Sequence, residues 1–299
     1  MHSIRVLYFT NCAGFEPKVP IFKEQSGYEN GVSRPKGEAN PVIGYSKNIC
    51  DIVIAMNEKI EQTKKRECNP FEDTAIAEQW ISSVEGERGK VREREIYPMI
   101  EEWASAFGEG ARITEIGSGQ GICSQYLGSF AGMYIGVEPS VPLTERAKEL
   151  YSDDENKQFI LGNAYKMPTE CKDADGVFSM GVWFHLADLD AASKELARIL
   201  KHDGKFNIIT TNPESYDIWR TFFDNYTEDG KMISGKVNLP VTSLSRNDFY
   251  MHTMEDMLNS LKNAGLKVEL TKSLGAMKSN PDTPLFVSIQ GTHKKTPMV

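Results

Sequence analysis

Between Ile113 and Ile116 a short apolar run enters Gly117-Ser118-Gly119-Gln120-Gly121, and a helical pattern follows. A strand that turns into a helix through closely spaced glycines lets a ligand touch backbone where a side chain would block it, and the helix start supplies free N–H groups. That chemistry suits a nucleoside cofactor. The spacing is G-x-G-x-G, with Ile122 where a dinucleotide fingerprint would carry its third glycine. The next strand pattern, Tyr134 to Val137, ends in Glu138-Pro139. A carboxylate at that strand end can accept hydrogen bonds from both hydroxyls of a ribose. The third reactive feature is His185, on a loop after a fourth strand pattern, where an imidazole is suited to general-base work near neutrality.

These segments resemble the class I S-adenosylmethionine-dependent methyltransferases. Glu115-Ile116-Gly117-Ser118-Gly119-Gln120-Gly121 looks like their first motif, and Glu138 corresponds to their ribose acid. Gly162-Asn163-Ala164 lies where the family usually has Gly-Asp-Ala beside the adenine; Asn163 departs from that pattern, keeping an acceptor but not the charge. Asp175 to Asp188 resembles the fourth strand and following loop, whose backbone around Ser179 and Met180 borders the cofactor. Leu196 to Thr210 resembles the next helix, turn and strand. Arg92 sits where many members have an Arg that pairs with the cofactor carboxylate. The resemblance spans Trp80 to Lys294. It implies S-adenosylmethionine as cofactor, with Arg92, Glu115, Gly117, Ser118, Gly119, Gly121, Glu138, Pro139, Asn163, Ala164, Ser179 and Met180 around it.

Alkylation at a sulfonium carbon is an in-line displacement, so the protein's tasks are to position a nucleophile and exclude water. Ring faces attract a cation by roughly 0.5–2 kcal/mol, and Trp80, Tyr97, Trp183 and Phe184 are candidates; the alternative for each is packing. Trp80, Trp183, Phe184 and Tyr216 are expected to line a substrate pocket. His185 and Tyr97 are the candidate catalytic groups, whereas His252, at a helix start, is expected to cap or pack. Asp188 beside His185 makes no metal site without further ligands.

The elements that must position these groups form an α/β pattern. Strands are expected near 111–116, 133–138, 157–161, 174–180 and 204–211, with two later runs at 266–270 and 284–293; helices alternate with them, including 96–107, 188–200 and 252–264. The fold class is therefore a Rossmann-like, seven-stranded, mostly parallel sheet with helices on both faces. Residues 1–46 read as an arm rich in Gly and Pro, and 47–67 as an amphipathic helix; Asn69 and Pro70 announce a further helix carrying Ile76, Trp80 and Ile81. We divide the chain into an arm and helical lid (1–90) and a cofactor-binding domain (91–299) with an irregular aromatic insertion, about 211–251, covering the substrate. The lid segment could equally be a homodimer contact or a brace.

A formal charge of −8 argues against a phosphate-binding surface for nucleic acid and favours a small-molecule substrate. The five cysteines are widely spaced and read as free thiols of a reducing compartment. The apolar run Val6 to Phe9 is too short for a signal peptide or membrane span, so the expected location is cytoplasmic. The leading expectation is a methyltransferase for a small metabolite of secondary metabolism. A cyclase of the azetidine-2-carboxylate-forming kind, which turns the cofactor's own amine onto its side chain and releases methylthioadenosine, is the second. A nicotinamide-dependent oxidoreductase and a non-enzymatic scaffold complete the alternatives.

Overall fold

The computed structural model describes residues 69–86, 89–94, 96–126, 132–238, 243–277 and 280–294. All lie in the compact unit Ile54–Val299. The expected arm at 1–46 and helix at 47–67 fall outside the described residues. Among the described residues no helix is long and apolar enough to cross a membrane.

Seven strands form the main sheet: β1 (Arg112–Ile116), β2 (Met133–Glu138), β3 (Lys157–Leu161), β4 (Ala174–Met180), β5 (Leu200–Thr211), β9 (Leu266–Met277) and β10 (Asn280–His293), in the order β3-β2-β1-β4-β5-β10-β9. The first five are parallel, and β10 runs antiparallel to both β5 and β9. The order reverses between β1 and β4, which opens a crevice beyond their carboxyl ends. Alternating side chains feed two cores. Val177 and Ile208 pack on one face with Leu196, Met257 and Leu261, while their neighbours Phe178 and Ile209 pack on the other with Ile100 and Trp103. A sheet buried on both faces in this way requires the near-continuous apolar runs seen in the sequence.

The helices begin where their sequences supply caps. Asp188 accepts from the Ala191 N–H at 2.9 Å and starts α4 (Leu189–Ile199), and Thr253 forms a capping box with Asp256 at α6 (Met254–Asn263). In α2 (Ile96–Ala104) Pro98 falls in the first turn, where it breaks no hydrogen bond. The helix expected at Asn69 starts later. Asn69 caps only a 3₁₀ turn, Pro70–Glu72, and extended backbone at Asp73 separates it from α1 (Thr74–Glu85), which Asp73 caps instead. Helix α1 lies near α3 (Val141–Leu150), tied to it by a bidentate contact of Arg146 with Glu85.

The insertion at 211–251 is not irregular. After the short helix α5 (Tyr216–Arg220), β6 (Phe223–Asp229), β7 (Met232–Asn238) and β8 (Ser243–Tyr250) build a separate antiparallel sheet. Its aromatic residues fill a core of their own, in which Trp219, Phe223 and Phe249 pack with Ile233, Val237 and Leu244.

Candidate active site

A cleft of about 280 Å³ opens at the carboxyl ends of β1, β2 and β4. A depression of about 340 Å³ lined by Trp103, Lys205, Lys272 and Gln290 lies by the opposite ends of the strands and holds none of the expected site residues. The first cleft is the candidate site because the glycine-rich turn, the β2 carboxylate and His185 all border it.

Gly117 has φ +73°, and a Cβ there would stand 2.2 Å from Val182. Gly119 has φ +54°, and a Cβ there would meet nothing within 4 Å. The first glycine therefore lets the turn close on the loop after β4, and the second leaves open space in the cleft that any side chain would fill. The Gly119 N–H donates to Glu138 Oε2 at 3.0 Å, and the Ser140 N–H donates to Oε1 at 2.9 Å. Both carboxylate oxygens are thus fixed by backbone, one by the glycine turn and one by the residue that caps α3. Burial pushes the Glu138 carboxyl up to about 7, against the opposing effect of those two donors. Pro139, Asn163, Ala164 and Met180 complete this side of the wall.

His185 closes the 3₁₀ turn Trp183–His185 after β4. Its Nδ1 lies 3.0 Å from the carbonyl oxygen of Asp248, on β8. A carbonyl can only accept, so Nδ1 carries the proton and Nε2 keeps its lone pair. Desolvation lowers the imidazole to about 4, outweighing the Asp248 contact, so the ring is neutral at ordinary pH. The Phe71 ring meets His185 edge-on at 6.5 Å and Trp80 at 5.2 Å, and both rings line the cleft. Ser140 Oγ donates to the Phe71 carbonyl, which anchors that segment beside Glu138.

Other expected site residues lie elsewhere. Trp183 is 1% exposed in the main core, rotated inward by the turn that brings His185 outward. Phe184 stacks on Phe249 at 4.7 Å, and the Tyr216 hydroxyl donates to the His252 carbonyl at 2.6 Å; neither lines the cleft. The Ser179 hydroxyl donates to the Ile116 carbonyl at 2.9 Å, inside the sheet. Ser118 is buried behind the turn, and Gly121 makes room for Phe159, which a Cβ would approach to 2.5 Å. Tyr97 is buried and stacked on Tyr126 at 4.0 Å, hydrogen-bonded by Arg92; burial pushes its hydroxyl up to about 12, and it stays protonated. Arg92 also lies 5.2 Å over the Trp80 ring, and so reaches the cleft wall only through it. His252 packs as expected, its Nε2 against the Leu186 carbonyl at 2.7 Å.

Residues 114–208 match the family model described as "Methyltransferase domain". These residues form a methyltransferase domain. Within it lie the glycine turn, Glu138, Asn163 and His185. The chain is 28% identical over 100 residues to the uncharacterized methyltransferase YcgJ of Bacillus subtilis, a stretch covering 33% of this chain and 40% of that relative. In fold it resembles a protein from Pyrococcus horikoshii, with TM-score 0.57 and 18% identity over 71% of this chain and 93% of that one. It also resembles an S-adenosylmethionine-dependent methyltransferase from Clostridium acetobutylicum, with TM-score 0.52 and 13% identity over 76% and 100%.

The methyltransferase match does not reach Asn69, Phe71 and Glu72 or Asp248, which border the cleft and which sequence reasoning missed. No local pattern marks them, because they arrive through long-range packing. Tyr165 and Gly181 were also missed, although both directly follow matched motifs.

Glu115 points away from the cleft. It is 2% exposed and accepts from the Tyr134 hydroxyl and from the Cys123 thiol. Burial raises it to about 8, so it is a neutral acid at pH 7. A raised carboxyl stabilises the fold fully below its ordinary value of 4.5, and that contribution is lost as pH rises through 8. Glu115→Gln should therefore raise the Tm relative to the parent by an amount that grows between pH 5 and 8 and then levels off, at about 2–4 °C per kcal/mol for a large domain. Thermal melts across that range test this; a Tm difference independent of pH would contradict the burial of a neutral Glu115.

Proposed function

We propose that this chain transfers the methyl group of S-adenosylmethionine to a small-molecule acceptor, with His185 as general base. The observation that carries this reading is that one cleft holds both the backbone-clamped Glu138 and a neutral His185 with a free Nε2 lone pair. When bound, the cofactor supplies a methyl group on positively charged sulfur. Glu138 accepts from the ribose hydroxyls, the open space at Gly119 admits the ligand, and Asn163 and Ala164 border the base. Trp80 and Phe71 offer ring faces toward the cation and shield it from water. His185 Nε2 takes the proton that the acceptor gives up. A cleft of about 280 Å³ suits small ligands, and the charge of −8 disfavours nucleic acid. Residues 69–72 and Trp80 on the cleft wall support a covering role for this stretch of chain.

A second reading is ring closure of the substrate upon itself. The cleft, at about 280 Å³, falls just below the roughly 300–1,000 Å³ usual for ligand sites, and Glu72, Glu138 and Asp248 border it without any Lys or Arg among the described residues. A single ligand with a reactive amine fits such a chamber. In that reaction the α-amine nitrogen bonds to the side-chain carbon next to sulfur, that carbon–sulfur bond breaks, methylthioadenosine leaves, and the nitrogen loses a proton to a neighbouring base.

Mass spectrometry of nucleoside products, with S-adenosylmethionine alone and with a metabolite extract, separates the two. S-adenosylhomocysteine formed only with extract supports methyl transfer; protein-dependent methylthioadenosine from the cofactor alone, together with the cyclic amino acid, supports ring closure instead, and no product in either case overturns both. Once an acceptor is found, His185→Ala should slow turnover by about 100-fold or more while S-adenosylhomocysteine still binds, and the parent's acid limb should lie near pH 4. Unchanged turnover and pH profile would remove His185 as the base.

A further inference from the structure

Asn163 was expected to offer an acceptor to the 6-amino group of adenine. The structure leaves it no such freedom. Its Oδ1 accepts from the Tyr165 N–H and from the Lys166 N–H, each at 3.0 Å, which closes an Asx turn at the end of β3. Nitrogen of a side-chain amide cannot accept, so these two donors fix which end of the amide is oxygen. The turn is held from its other side as well, since the Tyr165 hydroxyl accepts from the Ala187 N–H at 2.9 Å, on the loop that follows His185. Among the described residues Nδ2 keeps no partner, and Asn163 borders the cleft.

We infer that Asn163 presents a hydrogen-bond donor to the purine, and that this cleft therefore does not demand a 6-amino group. The inference rests on the cofactor reading above. An aspartate in the same turn would spend one oxygen on the two N–H groups and keep the other as an acceptor, which selects an amino group and repels a 6-oxo group. An asparagine spends its only oxygen on the turn. What remains is an NH₂ that complements a lone pair: a ring nitrogen of adenine, or the oxygen of a 6-oxopurine. Asn163 is thus a specificity-determining residue, and it broadens the accepted base.

The test is calorimetric titration of the full chain with S-adenosylhomocysteine and with its 6-oxo analogue S-inosylhomocysteine. The parent should bind the two within about threefold of each other, whereas Asn163→Asp should prefer the adenosyl ligand by about tenfold or more, the effect of one unmade hydrogen bond at a charged group. A parent protein that itself prefers the adenosyl ligand by tenfold would overturn the inference, whether or not the Asp variant folds. So would an Asp variant that folds and binds both ligands as the parent does. Failure of the parent to bind either ligand would instead overturn the cofactor reading, and this inference with it.

Discussion

The constraint on which the site depends is the burial of a carboxylate at the end of β2. Glu138 is 6% exposed and would be a costly charge there without partners. The partners are two backbone N–H groups, one from the turn that ends β1 and one from the first residue of the segment that starts α3. Glu138 is therefore both a ligand-facing group and the link that fixes the glycine turn relative to α3. The positive end of α3 favours its ionised form, while burial opposes it. The balance lies near neutrality, at about 7, so the charged form that is the stronger acceptor is populated as pH rises through that value.

A second set of contacts brings distant chain to this centre. Ser140, which holds Glu138 through its N–H, holds the Phe71 carbonyl through its hydroxyl. The Phe71 ring then approaches His185, and His185 leans on β8 through the Asp248 carbonyl. Three segments far apart in sequence thus meet around one cleft. The small antiparallel sheet contributes through backbone at Asp248, while its aromatic residues stabilise it from within. The same fold can serve different chemistry by changing these surrounding pieces while the clamped carboxylate remains.

The parts of this arrangement that were legible in sequence are those that local spacing dictates. Gly117, Gly119 and Glu138 could be placed because a strand, a turn and a strand end fix their geometry within about twenty-five residues. The five parallel strands were legible for a related reason, since burial on both faces writes itself as apolar runs. Trp183 and Phe184 were misplaced because proximity to His185 in sequence says nothing about which way a 3₁₀ turn faces each ring. The 211–251 segment read as irregular because polar residues in its strands, such as Asp224, Asn225, Glu228 and Asp229, dilute the alternation. Asn163 was read as an acceptor because its identity was visible and its partners, the N–H groups of its own turn, were not.

The most direct test of the central role of Glu138 is the pH dependence of S-adenosylhomocysteine affinity, measured by titration calorimetry on the parent chain and on Glu138→Gln. The ionised carboxylate is the stronger acceptor for ribose hydroxyls, so parental affinity should rise as pH passes through about 7, and the Gln variant should bind more weakly with no such rise. Equal affinity and equal pH dependence in the two proteins would contradict the account, because the group that organises the cleft would then not hold the ligand.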